Sequence, residues 1–297
     1  MKNTKPKVRL WSVLTGLTAI LTVAAIVGNI IANQYATTIN VALNASTYKI
    51  IHGENTGDTE YFKKGFASDE EREAYEAELC ATVEAEGAAL LKNENNALPL
   101  ASGAKVSLFG HGSVDLMYGG TGSGSVDTSK APNLKQALEA QGITINQTLW
   151  DLYSSDSMMS KYSRMTPASI SDTLEANTQY AVNEAPWSAL SSAESSFAEY
   201  GDAAIVVLSR SGGEGADLPS GENGTSDSWI SGQEGDGNYL ALSAEEIELL
   251  QNLKALKDNG TFKKIVVLIN SSNAIELDFL NPEICGEDYG IDAAMWI

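Results

Sequence analysis

The stretch "AAIVVLSRSGGEGADL", Ala203–Leu218, decides the fold. Its first six residues are apolar without interruption, the pattern of a strand covered on both faces rather than one, and such strands belong to parallel sheets. Open α/β sheets hold their ligands in the crevice beyond the carboxyl ends of such strands. The glycines that follow, Gly212, Gly213 and Gly215, surround one carboxylate, Glu214, at that mouth. Glycine lets the backbone take a tight path, so the loop is able to aim Glu214 into a pocket. A lone glutamate on an acidic protein is more often a solvated surface charge, and the residues alone leave both readings open. Acid chemistry would need its pKa raised by partial burial, so that a proton survives near neutral pH and passes to a leaving oxygen.

Outward from this strand the chain alternates. "KVSLFG" (Lys105–Gly110) reads as a strand, "PNLKQALEAQG" as a helix with Pro132 at its start and Gly142 past its end, and "ITIN" as a second strand. "SAEEIELLQNLKALKDNG" is a helix opened by Ser243 and Glu246 at capping-box spacing and closed by Gly260, and "KKIVVLIN" is a further strand. Upstream, "SDEEREAYEAELCATVEAEGAALL" opens with Ser68 and Glu71 at the same spacing and carries Tyr75, Leu79, Val83 and Leu90 on one helical face. This β-α-β succession predicts an α/β fold with a doubly wound, mostly parallel sheet sandwiched by helices. Asp151–Glu199, rich in Ser, Ala and Met, is expected to form helices over one face.

The 297 residues, 43% of them hydrophobic, suffice for a large core. Nineteen basic against 39 acidic residues leave a net charge of -20, which repels phosphate backbones and argues against nucleic acid as a partner. Cys80 and Cys285 stand far apart, with only His52 and His111 for company, so no zinc spacing exists and no metal or cofactor is implied. Both cysteines read as buried thiols, one long-range disulfide being the other option.

"MKNTKPKVR" carries four basic residues and no acid, and "LWSVLTGLTAILTVAAIVGNIIA", Leu10–Ala32, follows without a charge. That length spans a bilayer, and the basic flank orients the amino terminus toward the cytoplasm. A signal peptide is the competing reading, but its apolar region is shorter, about 7–15 residues, and no A-x-A-like cleavage site stands between Ala24 and Ile50. The expected organisation is a cytoplasmic segment at 1–9, a single-pass anchor in the lipid bilayer at 10–32, a stalk at 33–67 and a globular domain outside the cytoplasm at 68–297.

A second glycine-rich loop, "GHGSVDLMYGGTGSGSVD", follows the Lys105 strand. From Gly120 the dinucleotide template G-x-G-x-x-G requires a glycine where Ser125 stands, and the glycines lie about ten residues beyond the strand. A nucleotide site is therefore disfavoured, while the Thr121 and Ser123 hydroxyls suit a neutral, hydroxyl-rich ligand. A plain surface loop fits the composition equally well.

In this order, "EGAALLKNENNALPL", "KVSLFGHGSVDLMYGGTGSG", "VVLSRSGGEGADL" and "LALSAEEIELLQNL" resemble the α/β sandwich domain of glycoside hydrolase family 3, which includes β-glucosidases. The resemblance covers about Ala81–Ile297. It implies that Glu214 is the acid/base and that Ser123 contacts the substrate, a carbohydrate. It also implies an aspartate nucleophile on a TIM-type barrel, and no run of eight β-α units is present to supply one. The order resembles a subgroup in which the barrel follows the sandwich, so the expectation is a piece of a membrane-anchored retaining exo-β-glycosidase, inactive by itself and truncated before its barrel. The alternatives are a non-catalytic carbohydrate-binding or scaffolding membrane protein and, disfavoured by the broken fingerprint, a nucleotide-dependent enzyme.

Overall fold

The computed structural model describes residues 5–43, 45, 65–120, 123, 127–165, 180–214 and 239–297. The chain divides into two compact units, Met1–Ala67 and Ser68–Ile297.

In the first unit, α1 (Lys5–Gln34) is followed by α2 (Ala36–Ala42). Val8–Gln34 has a mean hydropathy of 2.1, long and apolar enough to cross a membrane, although a signal sequence has the same character. Its hydroxyls do not spoil this. Ser12, Thr15, Thr18 and Thr22 each donate to the carbonyl four residues earlier at 2.9–3.0 Å, which leaves no hydroxyl proton seeking water.

Among the described residues, the second unit is built on a six-stranded sheet in the order β1-β6-β5-β4-β2-β3. Its strands are β1 (Ala89–Asn93), β2 (Lys105–Phe109), β3 (Thr144–Ile145), β4 (Ala203–Arg210), β5 (Ile265–Ser271) and β6 (Ala293–Trp296). All neighbouring pairs are parallel except β1 with β6. All eight residues of β4 are buried, as the unbroken apolar run requires. Alternate residues serve opposite faces. Ala204, Val206 and Leu208 pack with Leu249, Leu250 and Leu253 of α7 (Ala244–Asp258) and with Leu190 and Phe197 from two 3-10 turns. Ala203, Ile205 and Val207 face the other way, onto Leu134 of α4 (Leu134–Ala140) and Ile143. Burying each of the Val, Leu and Ile side chains among them contributes about 1.5–3 kcal/mol. Phe109, at the end of β2, meets Phe197 and Phe262 edge-on at 5.2 and 5.7 Å, centring the first core.

Local signals set the helix ends. Ser243 and Glu246 cap α7 reciprocally, and Ser68 accepts from the Glu71 amide at the head of α3 (Asp69–Gly87). The cap of α4 is Asn133, one residue beyond Pro132, with Gln136 completing the box. Between β3 and β4 the described chain forms α5 (Gln147–Tyr153), α6 (Asp156–Tyr162) and the 3-10 turns; Leu149, Tyr153 and Met158 of the two helices join the Phe109 cluster. Residues 166–179 of that stretch lie outside the described residues.

Three expectations are corrected. Leu90 is not on the helical face, because α3 stops at Gly87 and Ala89–Asn93 pairs with β6 instead. No residue of α3 is buried: Tyr75, Leu79 and Val83 lie about half exposed, so their apolar spacing does not mark a core face within this unit. Cys80, on the same helix, is exposed; it and Cys285 are both free thiols rather than buried ones.

Candidate active site

The carboxyl ends of β2, β4 and β5 form one rim. From β2 the chain steps outward to β3, and from β4 it steps the opposite way to β5. The β2/β4 boundary is thus a topological switch point, where connecting segments diverge and leave a crevice. Both glycine-rich loops start there.

The loop after β2 leaves through Gly110, at φ 84, where a Cβ would stand 2.7 Å from the Val207 carbonyl oxygen. Glu184 holds the next residue: its Oε2 accepts from the His111 amide at 2.9 Å and lies 3.0 Å from His111 Nδ1, both side chains being buried. Further along, Asn270 from the end of β5 brackets Met117, accepting from its amide at 2.6 Å and donating to its carbonyl at 2.9 Å. Gly120 then passes so close to the other loop that a Cβ would stand 3.1 Å from the Gly212 carbonyl oxygen.

The loop after β4 is anchored from below by Arg210, fully buried at 0% exposure. All five guanidinium protons are used. Nε donates to the Tyr239 carbonyl, Nη1 to the Ser209 carbonyl and Glu246 Oε1, and Nη2 to the Ala241 carbonyl and Glu246 Oε2, at 2.6–2.9 Å. Burial works against that charge, but the Glu246 carboxylate outweighs it and holds the guanidinium pKa above its ordinary value. The Tyr239 hydroxyl closes on Ser211 from the other side, accepting from its amide at 2.9 Å and donating to its carbonyl at 3.1 Å.

Glu214 and Ser123 meet where these loops converge. The Ser123 amide donates to Glu214 Oε2 at 3.0 Å, and the Ser123 hydroxyl donates to the same oxygen. Among the described residues the carboxyl is exposed, without the partial burial that acid chemistry would need. Two donors, with no covering wall among the described residues, push its pKa below the ordinary carboxylate value, the hydroxyl contributing most and the amide next. A cavity of about 440 Å³ opens alongside, lined by Tyr118, Gly120, Asn133, Arg164, Ser211 and Gly212 among others. Arg164 is held there by Asp115, donating to its carbonyl at 2.6 Å and pairing with its carboxylate at 3.0 Å. Thr121, Gly122, Gly124, Gly215 and Asp217 lie outside the described residues.

Glu184, Asn270, Arg210 and Glu246 escaped the reading of the sequence. Only Glu246 carried a signal, and that signal concerned the helix cap.

Residues 88–296 match the family model of the glycosyl hydrolase family 3 C-terminal domain. The chain belongs to glycosyl hydrolase family 3. It is 34% identical over 146 residues to a protein named β-glucosidase A of Butyrivibrio fibrisolvens, covering 47% of this chain and 15% of that protein. It is 28% identical to a β-glucosidase of Ruminococcus albus over 74% of this chain and 20% of the relative. Among solved structures, a β-glucosidase of Paenibacillus barengoltzii matches with a TM-score of 0.53 and 25% identity, over 74% of this chain and 21% of that one. β-Glucosidase 3B of Thermotoga neapolitana in complex with glucose shares the fold at a TM-score of 0.53 and 22% identity, over 76% and 27%. The chain spans about a fifth of the length of the relatives it matches.

Proposed function

We propose that this chain is the acid/base-bearing part of a membrane-anchored, retaining exo-β-glycosidase of β-glucosidase type, acting on terminal sugars of oligosaccharides or glycosides outside the cytoplasm. The observation that carries this reading is the pair of hydrogen bonds from Ser123 to Glu214, which bring the two family-motif positions to one point of the switch-point crevice. Family membership and the β-glucosidase names of the relatives support the substrate class.

Glu214 would act first as acid and then as base in a double displacement, and Ser123 would bind sugar hydroxyls. The nucleophile would be an aspartate on a further, barrel domain, with the two carboxyl groups about 5–5.5 Å apart. A covering wall contributed by that domain would also remove water from Glu214 and lift its pKa toward the value an acid needs. Residues 10–32 would span the bilayer, which the length and internally satisfied hydroxyls of α1 support.

The test is leaving-group dependence in the full-length enzyme. Glu214→Ala should slow glycosides with poor leaving groups far more than activated aryl glycosides, by about 10²–10⁴-fold, because a good leaving group scarcely needs a proton. Azide should partly restore the rate by attacking the glycosyl-enzyme without a base. Asp217→Asn should show neither effect. Equal slowing of all glycosides with no azide rescue would exclude Glu214 as the acid/base.

One observation favours a second reading, a non-catalytic carbohydrate-binding protein. An exposed carboxylate with a lowered pKa stays ionised and accepts hydrogen bonds from sugar hydroxyls without giving up a proton. Saturable sugar binding without turnover by the full-length protein would support it.

A further inference from the structure

The two loops that meet at Ser123 and Glu214 do not hold each other by that contact alone. Both hang from a third segment, the four residues Asn270–Asn273 at the end of β5. On one side Asn270, 7% exposed, takes both backbone polar groups of Met117, at 2.6 and 2.9 Å. A primary amide that accepts from an N–H and donates to the C=O of one residue mimics a strand pair, and it fixes both the position and the rotation of that peptide. On the other side the Ser272 amide donates to the Arg210 carbonyl at 3.1 Å, the Ser272 hydroxyl to the Gly212 carbonyl at 3.2 Å, and Asn273 Nδ2 to the Ser211 carbonyl. The turn is itself braced by Ser271, whose hydroxyl donates to the Asn273 carbonyl at 2.8 Å and accepts from the Asn273 amide at 3.1 Å. A Cβ at Gly212 would overlap the Asn273 amide, so the fit is close.

We propose that Asn270 and Asn273 are positioning residues, which set the Ser123 loop and the Glu214 loop in register from a strand that bears neither group. Asn270 fixes Met117, six residues before Ser123; Asn273 fixes Ser211, three residues before Glu214. The Gly120 to Gly212 approach lies between these two attachments and closes a ring of loop, strand and loop. Loss of either attachment opens the ring and lets the Ser123 amide part from Glu214, although neither asparagine touches that pair. The consequence for rate rests on the catalytic reading above; the geometric coupling does not.

Hydrogen exchange on the full chain in detergent micelles tests the coupling without any substrate. Glu214→Ala, which removes the acceptor directly, should speed exchange in the peptide that contains Ser123. Asn270→Ala and Asn273→Ala should do the same by at least several-fold, while peptides within β4 stay protected. Should Asn270→Ala expose β4 as well, Asn273→Ala decides by the same readout, since it removes a single bond at a partly exposed site. Wild-type exchange at Ser123 in both asparagine variants, or in Glu214→Ala itself, overturns the proposal.

In the full-length enzyme, misplacement of an acid costs roughly 10–10²-fold for poor leaving groups. Asn270→Ala should show that loss, with activated aryl glycosides and KM little changed. Uniform loss on all substrates would overturn the positioning role. Failure of the Glu214 leaving-group test alone would instead strike the catalytic reading and leave the exchange result standing.

Discussion

Arg210 and Glu246 form a two-pronged ion pair at 2.7 and 2.8 Å, both side chains buried, joining the last residue of β4 to the capping box of α7. Glu246 Oε2, which accepts from Arg210 Nη2, also accepts from the Ser243 amide at 2.8 Å. One carboxylate thus caps the start of a helix and holds the strand from which the Glu214 loop departs.

Removing either partner alone strands a buried charge, so Glu246→Gln should destabilise the domain by about 3–5 kcal/mol. The double variant Arg210→Met with Glu246→Leu should recover only part of that loss, since it removes the stranded charge but leaves the Tyr239, Ser209 and Ala241 carbonyls and the Ser243 amide without their side-chain partners. Thermal melting of the single and double variants checks the difference. Arg210→Lys should behave as a disruption rather than a conservative change, because an ammonium has three protons where five are in use.

Gly212→Ala should displace the Asn273 amide at a cost of about 1–3 kcal/mol. Trimming the neighbour relieves the overlap. The cost of Gly212→Ala should therefore be smaller in an Asn273→Ala background than in the wild type, a non-additivity that denaturant unfolding of the four proteins measures.

Burial raises the Tyr239 phenol to about 12, well above the ordinary tyrosine value. The folded value is higher than the unfolded one, so the stability tied to the neutral hydroxyl is complete below about pH 10 and is lost as pH rises through 12. The ultraviolet difference between wild type and Tyr239→Phe should show one phenol that resists ionisation until that range. At neutral pH Tyr239→Phe, which strips two bonds from Ser211, should cost about 1–3 kcal/mol by melting.

With α1 as an uncleaved span, protease added to intact cells should remove the globular unit and leave a short anchored stub. Mass spectrometry of the released and membrane fractions decides it. A soluble, processed form beginning between Ala32 and Ser46 would establish a cleaved signal sequence.

Strands β2, β4 and β5 were legible because each is an apolar run closed by glycine or polar residues, and α7 because its cap is written within four residues. β1 was not. "AALL" continues the composition of the helix before it, and what makes it a strand is β6, at the far end of the unit. The broken dinucleotide fingerprint was readable from spacing, while the kinship of the two loops was legible only through the resemblance of their motifs to glycoside hydrolase family 3. What held the loops was not readable: Glu184 meets His111 from 73 positions away and Asn270 meets Met117 from 153. Pairing at that range leaves no periodicity in a single sequence. The environment of Glu214 was left open for a related reason, since burial depends on whatever covers a loop and not on the residues within it.

The pairing of β1 with β6 has a temporal side. Ala89–Asn93 is among the earliest parts of the sheet to be synthesised, yet among the described residues its ladder partner is Ala293–Trp296, almost the last. A nascent chain carrying the exposed side chains of Leu90 and Leu91 must therefore wait, with unpaired amides and carbonyls, until nearly the whole unit has emerged. Closing such a distant contact is slow. During that interval the β1 segment is an open edge that can take up another strand, so chaperones would be engaged by the start of this domain rather than by its middle.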